Sequence, residues 1–291
     1  MRILRCESGK CREDGKTERI HFTSRLIVLP AILLLIFSIT SCEKVIDINL
    51  NEAEKKYVIE GVVTDMAGTA RVKISQTKNF DENNSFPTVS GAIVSIKETP
   101  GVTYGLTETS PGIYESAMLS GTSGRDYTLT VNVGGQTFTA ASKMPAKVNL
   151  DSIFITDEFI FTSTRKIANA VFDDPIGLGN SYRFVQYVNG IKENQTLIRN
   201  DDYSDGKLIV NKLFYFSDDD ESKRNIKSGD NVMIDMLCID PAIYKYWFSL
   251  DRSSIGGSGQ ATPSNPVTNL KGGALGYFSA QTLQTKTLVV P

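Results

Sequence analysis

The sequence predicts a mainly β protein: an N-terminal antiparallel β-sandwich of immunoglobulin or transthyretin type, followed by a second β-rich domain with one or two short helices. Three observations carry this reading. From Tyr57 onward, apolar and polar residues alternate in short runs, which is the period of a half-buried strand. Gly, Pro, Asn and Ser bound those runs and supply turns. Helical spacing of apolar residues is clear only after Asp240-Pro241.

The first domain is expected over residues 57–146. Its strands are predicted at 57–64, 70–76, 92–98, 103–107, 113–116, 127–133 and 136–142. Leu129, Val131 and Val133 share one face, and Gly134-Gly135 has the chemistry of a two-residue hairpin turn. Seven strands in about ninety residues make a small sandwich. Residues 79–89 read as a polar loop, first a solvated connection and second a contact surface.

The second domain is expected over residues 147–291. Strands are predicted at 153–162, 169–173, 182–188, 191–198, 207–216 and 231–239, with Asn189-Gly190 as a hairpin turn. Residues 217–227 run from acids to bases and fit a short helix that complements its dipole. Asp240 and Pro241 are an N-cap and a first-turn proline. The helix after them, 242–252, places Ile243, Trp247 and Leu250 on one stripe. Residues 253–273 lack periodicity and are read as a long loop. Residues 276–279 and 286–290 are two closing strands.

Ahead of these domains, residues 25–42 read RLIVLPAILLLIFSITSC. As a helix, the apolar run would reach about 21 Å, short of a bilayer core of about 30 Å. Arg2, Arg5, Lys10, Arg12, Lys16, Arg19 and Arg25 precede or open it. A positive lead-in and a short apolar run make residues 1–41 an export signal rather than a membrane span. The end, Ile39-Thr40-Ser41-Cys42, resembles the bacterial lipobox. That resemblance implies cleavage between Ser41 and Cys42 and lipid attachment at Cys42. Two or more acyl chains anchor stably where one binds only marginally. Residues 42–56 are the anchor and a charged tether.

Composition excludes several chemistries. Seven of the 31 Lys and Arg and four of the 33 Asp and Glu precede Cys42, so the segment from Cys42 onward carries 24 bases and 29 acids. That balance offers no basic stripe for nucleic acid. The one histidine, His21, lies in the signal, which excludes His-dependent triads and His-ligated zinc after cleavage. Cys238 sits in an apolar run and is read as a core residue. No phosphate loop, dinucleotide fingerprint or nucleophile motif appears, so no cofactor and no catalytic residue is assigned.

Two acidic stretches are candidate metal sites. Residues 200–206 half resemble a calcium loop, but Tyr203 and Lys212 occupy ligand positions. Asp173-Asp174-Pro175, with Gly177 and Gly179 after it, reads first as a turn. No metal is assigned to either. For contact with a partner or ligand, the candidates are the aromatics Tyr246, Tyr277 and Phe86. Tyr246 is chosen because it lies off the Ile243–Trp247–Leu250 stripe.

Several ordered segments resemble the domain-of-unknown-function family numbered 4249, lipoproteins of Bacteroidota. They are Val58-Ile59-Glu60-Gly61, Val89-Ser90-Gly91-Ala92, Thr109-Ser110-Pro111-Gly112-Ile113-Tyr114 and Gly124-Arg125-Asp126-Tyr127. Asp174-Pro175 leading to Tyr182-Arg183-Phe184, and Asn269-Leu270-Lys271-Gly272-Gly273, complete the series. The Gly61-Val62-Val63-Thr64-Asp65 and Ser90-Gly91-Ala92 segments also resemble a transthyretin-like or carboxypeptidase-regulatory sandwich. The family resemblance implies an outer-membrane lipoprotein kept with TonB-dependent transporters, and it implies no catalytic residues. The expectation is a non-enzymatic, lipid-anchored accessory that binds a small molecule, peptide or glycan, or braces a barrel. Glu43 directly after the anchor favours the cell surface over the periplasmic face. The alternatives are a surface glycan hydrolase using paired carboxylates and a structural protein of envelope assembly.

Overall fold

The computed structural model describes residues 54–79, 85–160, 163–214, 225–254 and 264–291. The lipobox with Ser41 and Cys42, most of the tether, and most of the helix expected at 217–227 lie outside these residues.

The chain is mainly β, as the alternation predicts. The first part contains β1 (Tyr57–Thr64), β2 (Ala70–Gln76), β3 (Ile93–Thr99), β4 (Thr103–Ser110), β5 (Ile113–Ser116), β6 (Asp126–Val133) and β7 (Gln136–Lys143). These bounds fall within a residue or two of the predicted ones, except that β4 continues to Ser110. β1, β2, β5 and β4 pair in that order, and β4, β3, β6 and β7 follow. The two layers enclose a core of Ile59, Val72, Ile74, Ile96, Tyr127, Leu129, Val131 and Phe138, each at most 2% exposed. The β6–β7 hairpin turns at Gly134-Gly135, where both φ angles are positive, 57° and 74°. That is the mirror-image turn whose twist matches paired strands.

The second part contains β8 (Ser152–Ile160), β9 (Ser163–Asp173), β10 (Ser181–Val188), β11 (Ile191–Lys192), β12 (Leu197–Asn200), β13 (Leu208–Leu213) and β14 (Asn231–Cys238). β13, β9 and β8 form a separate three-stranded sheet. Its inner face packs against β10 and β14 through Phe172, Tyr182, Phe184, Ile234 and Met236. Cys238 belongs to this core, 2% exposed, with its thiol pKa raised by burial. The strand expected at 191–198 is instead two short pieces, and β12 returns to pair with β10.

The helix α1 (Pro241–Ser254) begins where Asp240-Pro241 predicts it. Asp240 Oδ1 accepts the backbone N–H of Ala242 at 2.8 Å and of Ile243 at 3.1 Å, an N-cap bond to each. The Asp240 Oδ2 also accepts the Ser142 hydroxyl, whose oxygen takes the Ala280 N–H at 3.0 Å. The helix covers Val185 and Leu237. Tyr182 and Phe184 on β10, and Met236 on β14, belong instead to the second core. Side chains alternate along a strand, so α1 and that core lie on opposite faces of these strands.

After the helix come β15 (Leu270–Lys271), which pairs with β7, and β16 (Leu275–Val289). The two closing strands expected at 276–279 and 286–290 are one strand of 15 residues. Its first half pairs parallel with β1, from Val58↔Leu275 to Thr64↔Gln281. Its second half pairs antiparallel with β14, from Cys238↔Thr282 to Asn231↔Val289. Around the changeover from one partner to the other, residues 280–285 are mostly polar and lack apolar alternation. There they are held by polar bonds: Leu283 N–H donates to Asp65 Oδ1 at 2.8 Å, and the Gln284 side chain reaches Leu150 and Val148. Residues Asn51–Pro291 consequently form one unit.

Candidate functional site

The α1 side of β10 carries one charge that the second core could not accommodate. Alternation along Ser181–Val188 sends Tyr182 and Phe184 into that core and turns Arg183 and Val185 toward the helix. One turn after Ile243, α1 presents Trp247 to the same place. The Arg183 guanidinium carbon lies 3.7 Å from the Trp247 ring centroid. A planar guanidinium stacked on indole is a strong cation–π geometry.

Behind this pair stand two more rings. Tyr277 from β16 lies 4.8 Å from Tyr246 and 5.2 Å from Trp247, centroid to centroid. Burial raises the pKa of both phenols, Tyr277 to about 12, so neither supplies an anion to Arg183. Burial also lowers the pKa of Arg183. Its Nε is enclosed and has no hydrogen-bond partner, and among the described residues no carboxylate stands within ion-pair distance of it.

The guanidinium borders a recess of about 130 Å³ between β10, α1 and residues 192–196. Lys192 stands on its rim, with its pKa lowered first by desolvation and then by the Arg183 charge. Glu193, 6% exposed, also lines the recess. A volume of this size is well below the roughly 300–1,000 Å³ that encloses a whole drug-sized ligand. It suits an end group: a carboxylate, a sulfate or a phosphate, held by a guanidinium fork with an ammonium beside it.

The three aromatic candidates separate. Tyr246 and Tyr277 meet, but each is only 9% exposed and serves as packing behind the recess. Tyr246, expected to be the likelier contact of α1 where one side of the helix is exposed, is packed against Tyr277. Phe248 is the exposed ring of α1, at 42%, with Arg252 over it at 5.2 Å. Phe86 is 56% exposed, with the Lys78 ammonium 5.2 Å from its centroid, and is not part of this junction. The sequence reading missed Arg183 and Lys192 and treated Trp247 as core. The available signal was Arg183 itself, a charge inside the apolar run Tyr182–Val185.

A family model described as "Domain of unknown function (DUF4249)" matches residues 43–287. No curated protein matches the chain. Among solved structures, a two-domain fibronectin type III segment from chicken tenascin is similar over 81% of this chain and 100% of that one. The identity is 10% and the TM-score 0.23.

Proposed function

Because the chain belongs to the DUF4249 family, we propose that it is a non-enzymatic, lipid-anchored outer-membrane protein that captures an anionic ligand for a TonB-dependent transporter. The single observation that carries the binding role is the Arg183 guanidinium, desolvated, stacked on Trp247 and, among the described residues, without a carboxylate at ion-pair distance. A charge held that way costs the fold stability, and an anion delivered to it restores the balance. The recess admits only the charged end of a ligand, so the rest of a peptide or glycan lies across the surface outside. The export signal and lipobox support the location, and the family resemblance supports the company of a transporter.

The test is calorimetric titration with oligogalacturonate, a neutral glucan of equal length, and one peptide with a free or an amidated C-terminus. Anionic members should bind and neutral ones should not, and because the guanidinium is largely desolvated the binding should survive moderate salt. Arg183→Met should abolish that binding while the protein stays folded. Equal binding of neutral and anionic members, or binding that survives Arg183→Met, would remove the recess from the account.

A further inference from the structure

Two acidic turns, separate in the chain, meet beside the start of β10. We infer that Asp174, Asp201 and Asp205 form a divalent-cation site whose chemistry suits calcium. One carboxylate oxygen from each lies within 4.8 Å of the other two. Oxygens sharing a calcium ion at about 2.4 Å stand at most about 4.8 Å apart, so the three have the spacing of groups that share one ion.

Structural bonding accounts for two of these carboxylates. Asp201 accepts the N–H groups of Gly179 at 3.1 Å and Asn180 at 2.8 Å, one on each oxygen. Asp205 Oδ1 accepts the Gly177 N–H at 2.6 Å. Both tie one turn to the other. Asp174 is different. The residue is 4% exposed, and its Oδ1 accepts the Tyr182 hydroxyl. Its Oδ2 is buried with no hydrogen-bond partner. A buried carboxylate oxygen without a donor is costly, and two neighbouring carboxylates make it costlier. Among the described residues none of the three is ion-paired to Lys or Arg.

A hard dication bonded to Asp174 Oδ2 supplies the missing partner and offsets the clustered charge. Calcium accepts six to eight oxygens in irregular geometry, with water or backbone oxygens completing the shell. Magnesium requires a nearly ideal octahedron and gives up its water reluctantly. The ion would lie between two turns rather than inside one loop, which is why neither acidic stretch matches a calcium motif alone. It would pin both turns at the end of the strand that carries Arg183.

The experiment is terbium luminescence on the purified protein, excited through tyrosine, with calcium and then magnesium as competitors. Tyr182 hydrogen-bonds Asp174 and is placed to sensitise the bound lanthanide. Calcium should displace terbium at a stoichiometry of one, and magnesium should compete far less. Asp174→Asn preserves the side-chain shape, and Asp205→Asn alters an exposed residue, so both should remain folded by circular dichroism. Each should weaken terbium and calcium binding at least about ten-fold, the minimum loss on disturbing a metal shell. Absence of a calcium-competed signal in the parent protein, or equal binding in all three proteins, overturns the inference.

Discussion

Arg183 stands in the chain between Tyr182 and Phe184, rings each 1% exposed in the second core, but its charge lies on the opposite face of β10, over Trp247. Burial lowers its pKa, so its charged form is destabilising in the folded state. Arg183→Met should therefore leave the urea midpoint unchanged or raise it while eliminating anion binding; a large loss of stability would mean the charge serves the fold. Glu108 behaves oppositely. Its two oxygens accept the N–H groups of Gly91 and Gly112, each at 3.0 Å. Those bonds hold its pKa at about 2, below the ordinary 4.5. A depressed carboxylate pKa gives stability that is full above the ordinary value and lost as pH falls toward the folded one. Glu108→Gln should thus unfold earlier than the parent at pH 7, with the gap closing between pH 4.5 and about 2. A gap independent of pH would contradict this. The candidate site was only partly legible at this scale. Arg183 was visible as a misplaced charge, but Lys192 and the stacking on Trp247 depend on how a distant helix docks. Asp174 and Asp201 each read locally as part of an acidic turn, because their meeting is a tertiary fact.

Among the elements, those with local signals were readable. The strands of the first sandwich follow alternation and glycine turns, and α1 follows its cap and proline. Asp240 does more than cap, since it also accepts the Ser142 hydroxyl that anchors β16. Asp240→Ala should cost about 2–4 kcal/mol, the sum of a lost cap and a broken buried hydrogen bond, measured by urea unfolding. β16 was not readable as one strand, because half of it pairs with β1 and half with β14, and its middle is polar. Gly276 lets it approach β1: a Cβ there would lie 2.1 Å from the Ile59 carbonyl oxygen, at φ +101°. Gly276→Ala should cost about 3 kcal/mol or more through clash and backbone strain together. Stability equal to the parent's would mean the parallel pairing is not required.

In the whole molecule, two cores share one strand, and residues Asn51–Pro291 form a single unit. Scanning calorimetry should show one transition with equal calorimetric and van't Hoff enthalpies. Two separated transitions would indicate cores that fold independently. The binding recess and the acidic turns both lie in the second part, on or beside β10, while the anchor expected at Cys42 precedes the first. The proposed role at an outer-membrane transporter is tested by affinity isolation of a tagged copy from native membranes in mild detergent. The account predicts a TonB-dependent barrel recovered in stoichiometric amount with the acylated protein. Recovery of the protein alone, or from the soluble fraction without acyl chains, would contradict it.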